Sequence, residues 1–222
     1  MSDFDEYLTE IDSQAWFKYN LNMDTQSIYQ NWQGMRTQRL CFRQLILDDK
    51  EAIFHYASDP EVTRYVLFPT HQSMDDTINF IQINLQKYAN HEIACWGVAL
   101  NSNSLLIGTA DFVWWSPEHR KAEVGYCFAK EYWNQGYATE ALQGLISFGF
   151  EYMDLNRIEA RCFEENKASS RVMEKAGMSK EGLLREALFA KGTIRNIMMY
   201  SILQREYKQK FSEKYKSTGD KL

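Results

Sequence analysis

Short runs of alternating apolar and polar residues fill the middle of the chain, a pattern typical of strands with one buried face. These runs lie at 95–100, 105–115 and 121–130, and the stretches between them, 101–104 and 116–119, are rich in turn residues. Because the connections are so short, the three strands are predicted to pair as an antiparallel meander.

Before the meander, the pattern predicts a strand and two helices. Residues 40–47 are rich in strand formers, and a helix over 50–59 would begin at an N-cap from Asp48 or Asp49 and stop at Pro60. A second helix would begin at Ser73 or Asp75 and bury one apolar face made of Ile78, Ile81, Ile83 and Leu85.

After the meander, the period of the apolar residues changes to that of helices alternating with strands. The predicted elements are a helix over 137–152, a strand over 157–163, a helix over 166–176 that ends at Gly177, and a strand pair over 183–190 and 194–203. A helix that crosses between strands indicates a mixed α/β fold whose sheet is part antiparallel and part parallel.

Length and segment composition predict one domain with two extensions. The chain has 222 residues, of which 45% are hydrophobic and 25% charged, an ordinary balance for one packed core. Residues 37–207 hold the predicted domain, and residues 208–222 form a polar tail. Residues 1–36 are polar with scattered aromatics and predict a helical extension, which serves either as a lid or as the arm of a homodimer.

Composition also excludes several classes of protein. A net charge of −5 argues against a non-specific nucleic-acid binder, which would present a basic face to phosphates. The sequence has neither the run of roughly 20 apolar residues that a membrane helix needs nor a signal peptide, so we expect a cytoplasmic protein. The four cysteines lie far apart and the four histidines lack ligand spacing, which predicts free thiols and no metal.

The most informative segment is a polar turn around Gly136 that leads from a strand directly into the 137–152 helix. The first N–H groups of a helix have no intrahelical partner and lie at its positive end, so they bind anions well. Glycine allows a ligand to approach closely, and Ala138 and Thr139 are small. The turn therefore either binds a phosphate or needs the glycine for its backbone angles alone.

The run AEVGYCFAKEYWNQGYATEAL around this turn, and a second block that begins at Glu165, resemble the GNAT family of N-acetyltransferases, in the branch that acetylates ribosomal-protein N-termini. The run Trp133–Ala138, WNQGYA, resembles the family's (Gln/Arg)-x-x-Gly-x-(Gly/Ala) acetyl-CoA loop. The run ENKASSRVMEKAGMSKEGLLREA resembles the Asn-x-x-Ser helix with its Lys-x-Gly-(Phe/Met) stop. Trp133 stands where the family has glutamine or arginine, so binding at that position would rest on the backbone.

The resemblance covers residues 39–207 and implies the GNAT fold, a central mixed, mostly antiparallel sheet flanked by helices. It implies an acetyl-CoA site made of Cys127, Phe128, Ala129, Asn134, Gln135, Gly136, Tyr137, Ala138, Thr139, Asn166 and Ser169. It further implies that the backbone at 127–129 is bulged and pairs with the pantetheine arm. Acetyl-CoA would lie where the strands ending near Lys130 and Phe163 splay apart.

The family's reaction is attack of an amine on the acetyl thioester, which needs a group to remove a proton and benefits from one that protonates the thiolate. Glu123 is the candidate base, because related enzymes often place a carboxylate on that strand; alternatively it is solvated or pairs with Arg161. Many relatives carry a tyrosine general acid on the helix after Asn166. The corresponding position here is Met173, which leaves Ser169 or water.

The sequence therefore predicts transfer of acetyl from acetyl-CoA to a primary amine without a metal. The acceptor is either a protein N-terminus, as in ribosomal-protein acetylation, or a small amine such as a polyamine, an amino sugar or an amino acid. Two other interpretations stay open: a non-catalytic sensor that binds acetyl-CoA, and an interaction protein that dimerises through its N-terminal aromatics.

Overall fold

The computed structural model describes residues 35–210. Strands run over Leu40–Arg43 (β1), Trp96–Leu100 (β2), Leu106–Ser116 (β3), Lys121–Phe128 (β4), Arg157–Phe163 (β5), Ser179–Ala190 (β6) and Thr193–Leu203 (β7). Helices run over Lys50–Ala57 (α1), Pro60–Thr63 (α2), Met74–Ala89 (α3), Tyr137–Tyr152 (α4) and Lys167–Lys175 (α5), and residues 204–210 are also helical. The helices predicted within 1–34 and the tail from 211 onwards lie outside the described residues.

The strands form one seven-stranded sheet in the order β1-β2-β3-β4-β5-β7-β6. Neighbours are antiparallel except β4 and β5, which are parallel and joined by α4. A parallel pair needs such a crossover, because the chain must return to the starting edge of the sheet. The mixed, mostly antiparallel sheet and the meander of β2, β3 and β4 are therefore confirmed.

The parallel pair opens after three residues. Lys121–Glu123 pair with Arg157–Glu159, although β4 continues to Phe128 and β5 to Phe163. Past these pairs β5 is held by β7 and β4 by β3. We call the resulting opening in the sheet the β4–β5 gap; it lies where the sequence predicted that the two strands splay apart.

Helix α4 closes one face of the sheet, and its bounds are those predicted from the apolar period. The buried members are Ala141, Leu142, Leu145, Ile146, Phe148, Gly149 and Phe150. On the sheet side, the Phe112 ring of β3 lies 6.4 Å from the Phe148 ring. This packing fixes the start of α4 beside the end of β4, which positions the turn around Gly136.

The first predicted strand is too long. β1 ends at Arg43, because the Arg43 guanidinium binds the buried Asp49 carboxylate at 2.6 and 2.7 Å and turns the chain away from the sheet. The same carboxylate accepts a hydrogen bond from the Ile46 backbone N–H at 2.9 Å. Asp49 precedes α1, but its side chain makes no cap hydrogen bond to that helix, contrary to the prediction.

Two further corrections concern the helices before the meander. The first helix ends at Ala57, and Pro60 begins α2, where the Asp59 carboxylate accepts a hydrogen bond from the Glu61 N–H at 2.8 Å. Proline suits this position, because a first-turn N–H has no intrahelical partner. In α3 the predicted buried residue Ile83 is 48% exposed, since the face that packs is Thr77, Ile81, Asn84 and Tyr88.

Within residues 35–210, no helix is both long enough and apolar enough to cross a membrane. In the same range, His, Cys, Asp and Glu side chains form no group of three or more that could hold a metal ion. The four cysteines are free; Cys127 and Cys162 are buried, and Cys41 and Cys95 are half-buried.

Candidate functional site

The turn before α4 presents a row of backbone N–H groups. Gly136 is the N-cap residue with φ +82°, and Asn134 has φ +58° while Gln135 between them keeps a negative φ. Alternation of this kind curves the backbone into a concavity that suits anions. The first helical hydrogen bond runs from the Glu140 N–H to the Gly136 carbonyl, so the N–H groups of residues 137–139 precede the intrahelical ladder.

Arg39, which directly precedes β1, holds this turn in place. Its Nη1 donates to the Gln135 carbonyl at 3.0 Å, and its Nε lies 2.6 Å from a Glu140 carboxylate oxygen. The guanidinium also stacks over the Tyr137 ring, 4.3 Å from the ring centre. Sequence reasoning missed Arg39, because nothing local links it to a turn about a hundred residues later.

The Glu140 carboxylate is the other half of this arrangement. It accepts hydrogen bonds from the Thr37 hydroxyl at 2.6 Å and from the Arg39 backbone N–H at 2.7 Å. Burial alone would raise the pKa of Glu140, but these hydrogen bonds and the Arg39 charge outweigh it and leave the pKa lowered. The carboxylate therefore stays ionised and fixes the first turn of α4 to the chain before β1.

A groove of about 860 Å³ starts at the turn and follows α4. Gly136, Thr139, Gln143 and Lys175 line it on one side, and residues 35–39 line it on the other. The N–H groups at its mouth and the Lys175 side chain suit the groove to phosphate oxygens, whereas Arg39 is paired with the Glu140 carboxylate, which also lines it.

Strand β4 pairs regularly with β3 over the predicted cofactor residues. Gly108 lies opposite Phe128, Thr109 lies opposite Cys127, and the Ala129 N–H continues the ladder by donating to the Ile107 carbonyl at 3.0 Å. The prediction of a bulge at Cys127–Ala129 is wrong. The register shift lies between Phe112 and Trp114, where Val113 is the extra residue of β3.

The other edge of β4 faces the β4–β5 gap. Successive residues of a strand direct their backbone groups to opposite sides, and Ala129 directs its N–H to β3, so the backbone groups of Tyr126 and Phe128 point into the gap. The Phe128 carbonyl accepts a hydrogen bond from the Trp133 indole N–H at 2.8 Å. The gap thus offers backbone groups to an extended ligand along β4.

Across the gap, α5 brings a hydroxyl pair to the same place. The Asn166 side chain caps α5 by accepting from the Ser169 N–H at 3.1 Å, as predicted for an N-cap. The Ser169 hydroxyl lies 2.9 Å from the Tyr126 hydroxyl of β4. Met173, which stands where many relatives carry the tyrosine acid, is fully buried. The tyrosine that contacts this helix is Tyr126 of β4, which the sequence pattern did not reveal.

Burial raises the pKa of Tyr126, which therefore stays protonated and can donate to Ser169.

Glu123 lies on the sheet face opposite to Tyr126, and both of its oxygens are engaged. Oε1 is 2.8 Å from Arg161 Nε, and Oε2 accepts a hydrogen bond from the Trp114 indole N–H at 2.8 Å. The residue is 6% exposed. The alternative considered from the sequence, a pair with Arg161, is present, and the role of Glu123 as a base stays a prediction.

Basic side chains border the gap on the Glu123 face. Arg64 stacks on the Tyr65 ring, and the Tyr65 ring meets the Phe163 ring edge-on, with 6.3 Å between their centres. Arg195 lies over the Phe163 ring, 5.7 Å from its centre. Lys191, in the β6–β7 turn, donates to the Phe68 carbonyl at 2.5 Å. Arg195 also lies 3.5 Å from a Glu165 carboxylate oxygen, which partly offsets its charge. We call Arg64, Lys191 and Arg195 the cationic rim.

Comparison with known proteins bears on this geometry. A family model described as an acetyltransferase (GNAT) domain matches residues 39–179. The uncharacterized N-acetyltransferase YoaA of Bacillus subtilis (strain 168) is 37% identical over 170 residues, 77% of this chain and 96% of YoaA. The ribosomal-protein-serine acetyltransferase of Escherichia coli (strain K12) is 27% identical over 130 residues, 59% of this chain and 72% of that protein.

Solved structures agree with these relatives. The crystal structure of a GNAT-family acetyltransferase from Bacillus anthracis superposes with a TM-score of 0.70 at 33% identity, covering 78% of this chain and 99% of that one. The matched family domain falls inside the predicted domain of residues 37–207. The chain therefore belongs to the GNAT family and is an acetyl-CoA-dependent N-acetyltransferase.

Proposed function

We propose that the enzyme acetylates the N-terminal α-amine of a protein or peptide. The observation that carries this proposal is the cationic rim. A polyamine carries several positive charges, so three basic side chains at the entrance would repel it, whereas a peptide N-terminus brings one charge and many carbonyl acceptors. The likeness to a ribosomal-protein-serine acetyltransferase supports the same class of acceptor.

In this proposal, acetyl-CoA occupies the groove and the gap. The pyrophosphate binds the N–H groups of residues 137–139 beside Gln135 and Gly136, and Asn134 shapes the turn through its positive φ. The pantetheine arm follows the free edge of β4 at Cys127, Phe128 and Ala129, with Asn166 and Ser169 of α5 on its other side. These are the residues that the sequence assigned to the cofactor.

The donor and the acceptor then meet through the gap from opposite faces of the sheet. The cofactor residues of α5 lie with Tyr126 on one face, and the cationic rim lies with Glu123 on the other. When the thioester breaks, the thiolate needs a proton, and the Ser169 hydroxyl can supply it while Tyr126 donates to Ser169.

Thiol release from acetyl-CoA tests the proposal directly. The substrates are a hexapeptide with an N-terminal serine, the same peptide with its N-terminus already acetylated, and spermidine. We expect turnover of the free peptide, none of the blocked peptide, and at least tenfold lower kcat/KM for spermidine. Equal or higher kcat/KM for spermidine would instead assign the enzyme to small amines.

Replacing Arg64 by glutamate should shift acceptor preference, because Arg64 is exposed and belongs to the cationic rim. We expect kcat/KM for the peptide to fall about fivefold, roughly 1 kcal/mol, and kcat/KM for spermidine to rise. Lys180→Glu is the matched control: it makes the same charge reversal at the far end of β6. A similar change in both variants would remove Arg64 from acceptor selection.

A further inference from the structure

Asp111 is a half-buried carboxylate on β3, the strand that borders β4 on the side away from the gap. It lies directly opposite Gly125 of β4, two residues past the last pair that joins β4 to β5. Directly opposed residues of antiparallel strands share a face, so Asp111 lies on the same face of the sheet as Glu123 and Cys127. This is also the face that carries the cationic rim.

The Asp111 carboxylate packs directly against Gly125. A Cβ atom at Gly125 would lie 3.1 Å from Asp111 Oδ1 and 2.9 Å from a Val113 methyl carbon. A side chain at this position would clash with both groups, so glycine is what allows Asp111 to lie this close to the β4 backbone. The bulge at Val113 re-aims this part of β3, as bulges next to active sites do.

Asp111 and Glu123 differ in the partners of their carboxylate oxygens. The two Glu123 oxygens are taken by Arg161 and by the Trp114 indole, so neither is free to contact an acceptor amine unless one of these partners moves. Asp111 makes no ion pair within 4.0 Å among residues 35–210. Its side-chain hydrogen-bond partner is the Cys95 thiol.

Burial raises the pKa of Asp111 to about 6; the Lys87 charge of α3 and the Cys95 hydrogen bond oppose the rise, and the Glu123 charge adds to it. Tyr56 of α1 and Cys127 of β4 lie on the same face, and burial raises the pKa of each, so both stay neutral near pH 7. A carboxylate with this pKa is ionised at neutral pH and is a stronger base than an exposed aspartate.

We propose that Asp111 is the general base that takes the proton from the acceptor ammonium group. The nitrogen lone pair, freed by that transfer, attacks the acetyl carbon, and the carbonyl electron pair moves to oxygen. Collapse of the tetrahedral intermediate breaks the C–S bond. The second nitrogen proton goes to the thiolate through the Ser169 hydroxyl, and Asp111 releases its proton to solvent.

The proposal rests on the acetyltransferase activity and holds for any primary amine, so it does not depend on the acceptor class. The test is the pH dependence of kcat/KM from pH 5.0 to 9.5 for the wild type and for Asp111→Asn, with the N-terminal serine hexapeptide. If the wild type prefers spermidine, spermidine replaces the peptide and the range is extended to about pH 11, because an alkylamine loses its proton only above about pH 10. Failure of the proposed acceptor thus shows in the wild type, and failure of Asp111 shows in the variant.

For the wild type we expect kcat/KM to fall below about pH 6, as Asp111 becomes protonated. Asp111→Asn should be about a hundredfold slower at pH 7. Its deficit should shrink towards pH 9.5, since a peptide amine with a pKa near 8 then loses its proton unaided. A structural defect would give the same deficit at every pH.

Three controls make the result decisive. Asp75→Asn makes the same change at an exposed site on α3 and should behave as wild type. Glu123→Gln should keep the limb near pH 6, and Asp111→Glu should recover part of the rate. Acetyl-CoA affinity by calorimetry shows whether Asp111→Asn is folded. A folded Asp111→Asn variant that keeps the limb near pH 6, or whose deficit is constant with pH, overturns the proposal.

Discussion

Aspartate in place of Gly136 should raise the dissociation constant of acetyl-CoA at least tenfold, or 1.4 kcal/mol. The new carboxylate would lie beside the N–H groups that are proposed to bind the pyrophosphate, where it repels the phosphates and takes up their space. Gly136 also has φ +82°, which any other residue adopts at a cost, so the turn would distort. Calorimetric titration with acetyl-CoA measures the effect.

Gly192→Asp is the matched control for that variant. Gly192 has φ +78°, lies in the β6–β7 turn, and has no neighbouring atom within 4 Å of an added Cβ. It therefore adds the same charge and the same kind of backbone strain away from the cofactor turn. Gly136→Ala separates strain from charge, and its loss of affinity should be smaller. Acetyl-CoA affinity unchanged in Gly136→Asp would exclude the turn as the pyrophosphate site.

Local pattern was enough to predict α4 and β5, whereas β6 begins at Ser179, four residues before the predicted start at 183. The bounds of α4 and β5 match the predicted ones, because each segment has one strong period and clear turn residues at both ends. Gly136 and Gly177 have positive φ values, as the turns at the start of α4 and the end of α5 require. In these places propensity and tertiary packing favour the same structure.

The predictions failed where a distant partner decides the local structure. From the sequence alone, Asp49 is a suitable N-cap for α1, but in the structure its carboxylate binds the Arg43 guanidinium instead. Ile83 fits an apolar stripe, yet α3 packs through Thr77 and Asn84, whose polar groups find partners inside. The spacing of apolar residues shows which face of an element is polar, but it does not show which polar side chains find a hydrogen-bond partner in the fold. It therefore cannot distinguish a buried polar residue from an exposed one.

The same limit applies to the site. The predicted cofactor turn lies within one stretch of sequence and matches a family pattern. Arg39, which contacts the turn from the segment before β1, and Asp111 of β3 both lie outside that stretch. Asp111 is the one charged residue within an apolar run, a pattern that is equally typical of a strand at the edge of a sheet. Its meaning depends on Gly125 lying opposite and on the engaged state of Glu123, and both are facts of register.

Alanine in place of Gly108 should destabilise the protein by about 3 kcal/mol, because the added carbon meets backbone atoms of β4. It would lie 2.4 Å from the Cys127 carbonyl oxygen and 3.0 Å from Phe128 Cα. The β4 backbone is hydrogen-bonded to β3, so it cannot move aside as a flexible side chain can. Urea unfolding of the variant measures the loss.

The control for this variant is Gly182→Ala in β6, where an added Cβ meets no atom within 4 Å and stability should change little. The two substitutions also separate stability from cofactor binding. The opposite edge of β4 is the one proposed to pair with the pantetheine arm, so the shift that relieves the Gly108→Ala clash moves Cys127 and Phe128 towards the gap. Folded Gly108→Ala protein should therefore bind acetyl-CoA more weakly than wild type. Wild-type affinity in a destabilised variant would mean that the arm does not depend on the backbone of β4.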